Sequence, residues 1–312
     1  MSTIKPLYDN VRLNCTIVSD THIDIKHPFP WLPKFFLKQS LSQAQHSASR
    51  VDAFITIGDT TSRGNETNWK LTEQCFNGRN PADKIILTIG NHDTWNDDGY
   101  DAAIKCYYDY TERICGVKRK KPYFTEIING YHFIFLGSEG ESGCGALITD
   151  EQLDWLKNEM DKAGESGKPI FVFCHQSLNQ RHGLPKTWDA DEGATDPMEG
   201  GIGESSDRVA EILKSQKNVW YFSGHSHMGL SGEKRKKEHG YASFDTEDGL
   251  ELVNLPSFAC GNHHGDDEGF GIGIQLEAYD DRVILRPRSY FKHAWNKSVI
   301  IKDGKPYFEK ML

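Results

Sequence analysis

Five short apolar runs punctuate the chain: LNCTIV at 13–18, AFITI at 53–57, IILTI at 85–89, IFVFC at 170–174 and VWYF at 219–222. Each is short and rich in β-branched or aromatic residues, the composition of a buried strand. Helical patterns fall between them. Leu37, Leu41, Ala44 and Ala48 recur at 4-3-4 spacing and predict a helix after the stretch HPFPWLP at 27–33. Residues 66–76 form a second helical candidate, and 206–215 a third. Thr149 followed by Gln152 reads as a capping box ahead of Leu153, Leu156 and Met160, so a helix is expected over about 150–163. Two hairpins are expected. One turns at Asn129-Gly130, the favoured type I′ pair, and the other at Asp280-Asp281. Residues 180–205 are rich in Gly, Asp and Pro without periodicity, which marks a functional or mobile loop.

Polar clusters follow the five apolar runs directly. They are Asp20-Thr21-His22, Gly58-Asp59, Gly90-Asn91-His92-Asp93, Cys174-His175 and Gly224-His225-Ser226-His227. In open α/β sheets, sites are built at the carboxyl ends of strands, so these clusters are expected to meet. Singly, a His or Asp at a strand end is an ordinary turn or cap residue; five such clusters in order change that reading. Seven side chains stand out as metal ligands: Asp20, His22, Asp59, Asn91, His175, His225 and His227. Nitrogen and oxygen donors without a thiolate suit divalent transition metals.

The ordered motifs SDTHID, GDTTSRG, GNHD, CHQS and SGHSHMG resemble the calcineurin-like metallophosphoesterase superfamily. The resemblance implies a four-layer αββα sandwich of two mixed sheets flanked by helices. It implies two divalent ions (Mn, Zn or Fe), with Asp59 as the bridge. Asp20, His22 and His227 would complete one site, and Asn91, His175 and His225 the other. The implied reaction is phosphoester hydrolysis by a metal-bridging hydroxide, with His92 assisting the leaving group and Asp93 orienting His92 through a hydrogen bond. Purple acid phosphatases carry Tyr where this chain has Ser62, which favours a redox-inert or ferrous pair. The protein phosphatase pattern GDxxDRG lacks its second Asp here. By elimination the chain looks most like the bacterial small phosphodiesterase branch, with a cyclic nucleotide as an example substrate. A phosphomonoesterase, a protein phosphatase and a metal-binding scaffold for a protein partner are the alternatives.

Bulk properties narrow the choice further. The chain has 312 residues and a formal net charge of −9, which disfavours a nucleic-acid polymer as partner; a small phosphorylated substrate is what the resemblance implies. Ligands at both 20 and 227 must meet, so one domain over 1–312 is expected, with a motif core over about 11–262 and a C-terminal hairpin over about 268–312 completing a sheet. No signal peptide or membrane span is legible, so no membrane partner is expected, and the seven cysteines form no CxxC pair. Both features suit reduced, mostly buried thiols in the cytoplasm. Four further residues are candidates for the substrate rim. Arg63 either reaches a phosphate or forms a surface ion pair. Trp31 either offers a ring face or plugs the core. His263 and His264 either line the cleft or belong to a solvated Gly-rich loop. The basic runs Lys118–Lys121 and Lys234–Lys237 read as solvated loops, and the oligomeric state is not legible.

Overall fold

The structure is a computed structural model that describes residues 3–26, 28–141, 143–182, 184 and 200–312. The first half runs β1 (Leu13–Val18), α1 (Trp31–Gln45), β2 (Ala53–Thr56), α2 (Glu66–Phe76), β3 (Lys84–Leu87), α3 (Tyr100–Cys115), β4 (Phe124–Ile128), β5 (Tyr131–Phe135) and α4 (Asp150–Gly164). The second half runs β6 (Ile170–Phe173), α5 (Ser206–Lys214), β7 (Val219–Ser223), α6 (Glu233–His239), β8 (Phe244–Glu247), β9 (Leu250–Asn254), β10 (Ile272–Ala278), β11 (Arg282–Ser289), β12 (Ala294–Trp295) and β13 (Phe308–Met311).

The strands form two mixed sheets. One has the order β12-β11-β10-β1-β2-β3, with β13 also paired to β11; the other has the order β4-β5-β6-β7-β9-β8. β1, β2 and β3 are mutually parallel, as are β5, β6, β7 and β9. Alternation along the strands decides the layering. Cys15, Ile17 and Ile55 face Phe133, Phe173 and Phe222 in one core between the sheets. The opposite face of the first sheet presents Val18, Phe54 and Leu87 to Leu37, Leu41, Trp69 and Tyr107 of α1, α2 and α3. The outer face of the second presents Ile134, Val172 and Tyr221 to Leu153, Leu156 and Leu213 of α4 and α5. The result is the expected helix–sheet–sheet–helix sandwich, and the ligand-bearing strands all end on one side of it.

Local departures have physical causes. α1 begins at Trp31, inside the Pro-rich stretch, and Ala48 lies exposed beyond its end. The Thr149 hydroxyl caps α4 by accepting from Gln152 N–H at 3.3 Å, but the return half of the capping box is missing. The Gln152 amide instead clamps Gly137, donating to its carbonyl at 2.9 Å and accepting its N–H at 3.1 Å. The run Lys234–Lys237 is not a loop: it lies on α6, none of whose residues is buried. α3 and the β8–β9 hairpin went unpredicted. That hairpin turns at Asp248-Gly249, both with positive φ (52° and 82°), the same type I′ chemistry as Asn129-Gly130. All seven cysteines are free, but only Cys15, Cys75 and Cys174 are buried. Among the described residues, no helix is long and apolar enough to cross a membrane. Most of the 180–205 stretch lies outside the described residues; near its end, Ile202 N–H donates to the Ser177 carbonyl at 2.9 Å.

Candidate metal centre

The strand ends interlock before any side chain meets. Asp20 N–H donates to the Gly58 carbonyl (3.3 Å), His22 N–H to Asp59 (2.9 Å), Gly224 N–H to His175 (2.9 Å) and His263 N–H to His227 (2.8 Å). Five of the seven candidate ligands hold left-handed backbone: Asp20 (φ 55°), His22 (43°), Asp59 (45°), His225 (67°) and His227 (48°). Such φ costs a non-Gly residue about 1–2 kcal/mol and persists only where surrounding structure enforces it, most often at functional sites. Two motif glycines are required by close approach. A Cβ at Gly90 would lie 2.2 Å from Asp59 Oδ1, and one at Gly224 would lie 1.9 Å from Ser19 Oγ and 2.5 Å from Asp20 Oδ2.

The side chains then converge. Asp20 Oδ1 lies 3.2 Å from His227 Nε2 and 3.7 Å from His22 Nε2, while Asp59 Oδ2 lies 3.1 Å from His175 Nε2 and 3.6 Å from His22 Nε2. Asp20, His22 and His227 offer ligand atoms within 4.8 Å of one another, and so do Asp59, His175 and His225. Asp59 also joins His22 and His92 in a third such group, which brings His92 nearer the centre than its expected non-ligand role required.

Both carboxylates are buried, and among the described residues no Lys or Arg pairs with either; only imidazoles do. Burial alone would raise the Asp20 carboxyl, yet the charge of His175 and hydrogen bonds from His22 and His227 hold it well below the usual range. Asp59 is likewise lowered against its burial, by His175 and then His92. Burial would depress His175, but Asp59 and Asp20 lift it to about 10, so it serves as the counter-charge. His225 is pushed down to about 3 by burial and by His175. Cationic charge is what this cluster demands, and a bound cation would release the His175 proton.

Asn91 supplies the second indication. Its side chain is 2% exposed, and neither its oxygen nor its nitrogen has a hydrogen-bond partner. An unsatisfied buried amide costs about 1–3 kcal/mol, which a metal bond to Oδ1 would offset. The donor set fits a pair of divalent ions.

His92 stands at the mouth, 27% exposed in its side chain, with Nε2 4.0 Å from Asp59 Oδ2. Its ring packs on Trp95 (centroids 3.9 Å apart) and edges onto His22 (4.7 Å). The expected hydrogen bond from Asp93 is not there. His92 Nδ1 faces the Ser62 carbonyl at 3.1 Å, whereas Asp93 accepts from the N–H groups of Gly90 (3.0 Å), Thr60 (3.2 Å) and Thr61 (2.9 Å) and from the Thr61 hydroxyl (2.8 Å). Asp93 therefore ties two ligand loops together, and the Ser62 carbonyl orients His92. Burial and then the charge of Asp59 push the Asp93 carboxyl up to about 7.

The rim candidates separate. Arg63 pairs with Asp97 at 3.3 Å, both exposed, which is the surface ion pair and not a phosphate contact. Trp31 is 60% exposed, so it is no core plug. His263 pairs through its backbone with His227 and Gly229, against the ligand loop, and His264 stands beside it with ring centroids 6.2 Å apart.

Two residues escaped the sequence reading. Trp95, three residues after His92, is its packing wall. Asn254, fully buried at the end of β9, holds the His225–His227 loop from beneath. Its Nδ2 donates to the Gly224 carbonyl (2.8 Å) and Ser223 Oγ (3.1 Å), and its Oδ1 accepts from Ser226 Oγ (2.9 Å) and Tyr241 OH (3.2 Å). The turn signal Asp248-Gly249, by predicting β9, would have placed Asn254 at a strand end.

Buried carboxylates, imidazoles and an unpaired amide at the strand ends of a two-sheet sandwich make a candidate metal centre. A model of the calcineurin-like phosphoesterase family matches residues 13–229, and the chain belongs to that family of metal-dependent phosphoester hydrolases. Among solved structures, a dimetal phosphatase from Danio rerio aligns at a TM-score of 0.55 and 13% identity, covering 90% of this chain and 97% of that one, which supports the fold. A predicted phosphoesterase from Streptococcus pneumoniae (10% identity, TM-score 0.37, covering 96% and 98%) is more distant. So is the zinc complex of Vps29 from Entamoeba histolytica (8%, 0.38, covering 96% and 99%). No curated protein matches the chain.

Proposed function

We propose that the chain hydrolyses a small phosphodiester, with a cyclic nucleotide as the model substrate, using two divalent ions. Asp20, His22 and His227 hold one ion, Asn91, His175 and His225 hold the other, and Asp59 is shared. The buried, unpaired Asn91 carboxamide is the observation that carries the metal-binding part of this reading, and the diester rests on the sequence resemblance. When bound, such a pair supplies an activated water and Lewis-acid charge for phosphoryl transfer, and Mn, Zn or ferrous ions all suit the donor set. The residues of the chain do the rest. With Nδ1 donating to the Ser62 carbonyl, the His92 ring gives up a proton from Nε2 only as the imidazolium, which is the form a leaving alkoxide requires. Asp93 keeps the loops of Asp59 and Asn91 in register. Trp31 and His263 form the rim, and Trp31 offers an exposed face on which a ring can stack. Seven free cysteines suit a reducing compartment such as the cytoplasm.

The test is metal reconstitution followed by a substrate panel. Apo protein loaded with Mn or Zn is expected to hold about two ions per chain. It is expected to turn over phosphodiesters, among them 2′,3′- and 3′,5′-cyclic nucleotides, faster than phosphomonoesters. Folded protein that binds no metal would refute the site, and faster turnover of monoesters would refute the substrate class.

A further inference from the structure

We infer that His92 is also a metal ligand, one that caps the ion of Asp20, His22 and His227 in the resting centre and gives way to substrate. The inference rests on the metal pair proposed above and adds a displaceable ligand to it. His92, His22 and Asp59 offer ligand atoms within 4.8 Å of one another. Three such groups occur among the described residues, and every member except His92 already belongs to the proposed ligand set.

The ring is set as a ligating imidazole is. A carbonyl oxygen only accepts, so the 3.1 Å contact between Nδ1 and the Ser62 carbonyl places the N–H on Nδ1. The neutral ring then carries its lone pair on Nε2. Ligating histidines almost always donate their other ring N–H in this way. His175, a proposed ligand of the other ion, shows the same arrangement: Nδ1 faces the Ile57 carbonyl at 2.7 Å, and Nε2 lies 3.1 Å from Asp59 Oδ2. His92 Nε2 lies 4.0 Å from that same oxygen. This is too long for a hydrogen bond, whereas an ion bonded to both atoms at about 2.0–2.2 Å spans a gap of up to about 4 Å. His22 Nε2 lies 3.6 Å from Asp59 Oδ2 and completes the group. Asp59 Oδ1 is engaged elsewhere, accepting from the His92 backbone N–H at 2.9 Å, which ties the two residues together.

Exposure separates the two histidines. The His175 side chain is fully buried, whereas that of His92 is 27% exposed at the mouth. A ligand on the open side can leave without opening the core. Trp95 and His22 pack against the His92 ring and keep it at the centre. Catalytic metal sites hold one position for water or substrate, and His92 fills such a position until a phosphoryl oxygen takes it. The displaced ring is then free for the proton-donating role proposed above. Substrate binding thereby releases the acid that serves its leaving group.

The experiment is proton NMR of the full chain loaded with Co(II), which shifts the ring N–H protons of ligating histidines far outside the normal range. These signals disappear in deuterated water, which identifies them. At equal Co(II) content, wild type is expected to show one such signal more than His92→Ala. Inorganic phosphate is expected to remove that signal from wild type and to leave the count in His92→Ala unchanged. If His92→Ala misfolds, the phosphate titration of wild type decides alone. Equal counts in the two proteins at equal Co(II) content would overturn the inference and leave the metal pair standing. A wild-type count that phosphate does not change would overturn it as well. Folded protein that takes up no Co(II) would overturn the metal pair and the inference together.

Discussion

Replacing Asn254 with Ala tests whether the ligand loop is held by its support. The side chain makes four hydrogen bonds within a fully buried cluster, two of them to the Ser223-Gly224 hinge and one to Ser226, between His225 and His227. Each buried bond contributes about 1 kcal/mol net, and stranding the Gly224 carbonyl and the Ser226 hydroxyl adds about 1–3 kcal/mol for each group left unpaired. Water entering the space would recover part of this, so the expected loss is about 3–5 kcal/mol in urea denaturation of the apo protein. The left-handed φ at His225 and His227 is a conformation that surrounding structure must hold, and the Asn254 bonds are part of that support. Metal affinity, measured by calorimetric titration of Zn, is therefore expected to fall about 10–100-fold, as for other residues that orient ligands. Gln152→Ala is the control. It removes an equally buried clamp, on Gly137, that touches no ligand loop, and it is expected to lower stability while leaving Zn affinity unchanged. Wild-type Zn affinity in a destabilised Asn254→Ala protein would refute the reasoning, as would equal affinity losses in both variants.

His92→Ala is expected to lower kcat by about 10²–10⁴ on esters with poor leaving groups and less on activated esters, with metal content unchanged; equal losses across leaving groups would remove the acid role. Trp31→Ala is expected to raise KM for ring-bearing diesters and to leave small generic esters and the melting temperature unchanged, because the side chain is mostly solvent-exposed; a steep loss of stability would remove the rim role. Acid stability is expected to depend on His182, a buried imidazole that burial lowers to about 4. The unfolded chain takes up this proton near pH 6.5 and the folded chain only near 4, so the contribution is present above 6.5 and is lost as pH falls through that window. It amounts to about 3 kcal/mol. The unfolding free energy of wild type relative to His182→Gln should fall by about 3 kcal/mol as pH drops from 7 to 4, and parallel pH profiles would show that the ring does not titrate on unfolding.

Legibility in the sequence followed the strength of the local signal. The five ligand-bearing strands were readable because each is a dense apolar run, fully buried except at the start of β3, and the type I′ pair Asn129-Gly130 fixed one hairpin register. α3 was not readable. Its buried face is built from Ala103, Tyr107, Tyr110 and Thr111, so hydrophobic period and polarity do not separate. The ligand set could be named because residue type and strand-end position suffice for it, but the orientation of His92 could not. A side chain's hydrogen-bond partner depends on where other loops pass. Asp93 is drawn to Gly90, Thr60 and Thr61 by three backbone N–H groups that no local pattern announces, and Ser62, thirty positions before His92, supplies the carbonyl instead. Asn254 is the same case at longer range: its partners lie twenty-eight and thirty residues earlier, on a loop that reaches it only because β7 and β9 pair in parallel. The sequence thus names the atoms proposed to hold metal, whereas the groups that set their angles belong to the packing of the two sheets. Substitutions confined to the motifs would leave that second set untested, which is why the paired Asn254 and Gln152 variants carry more information about this centre than another ligand deletion.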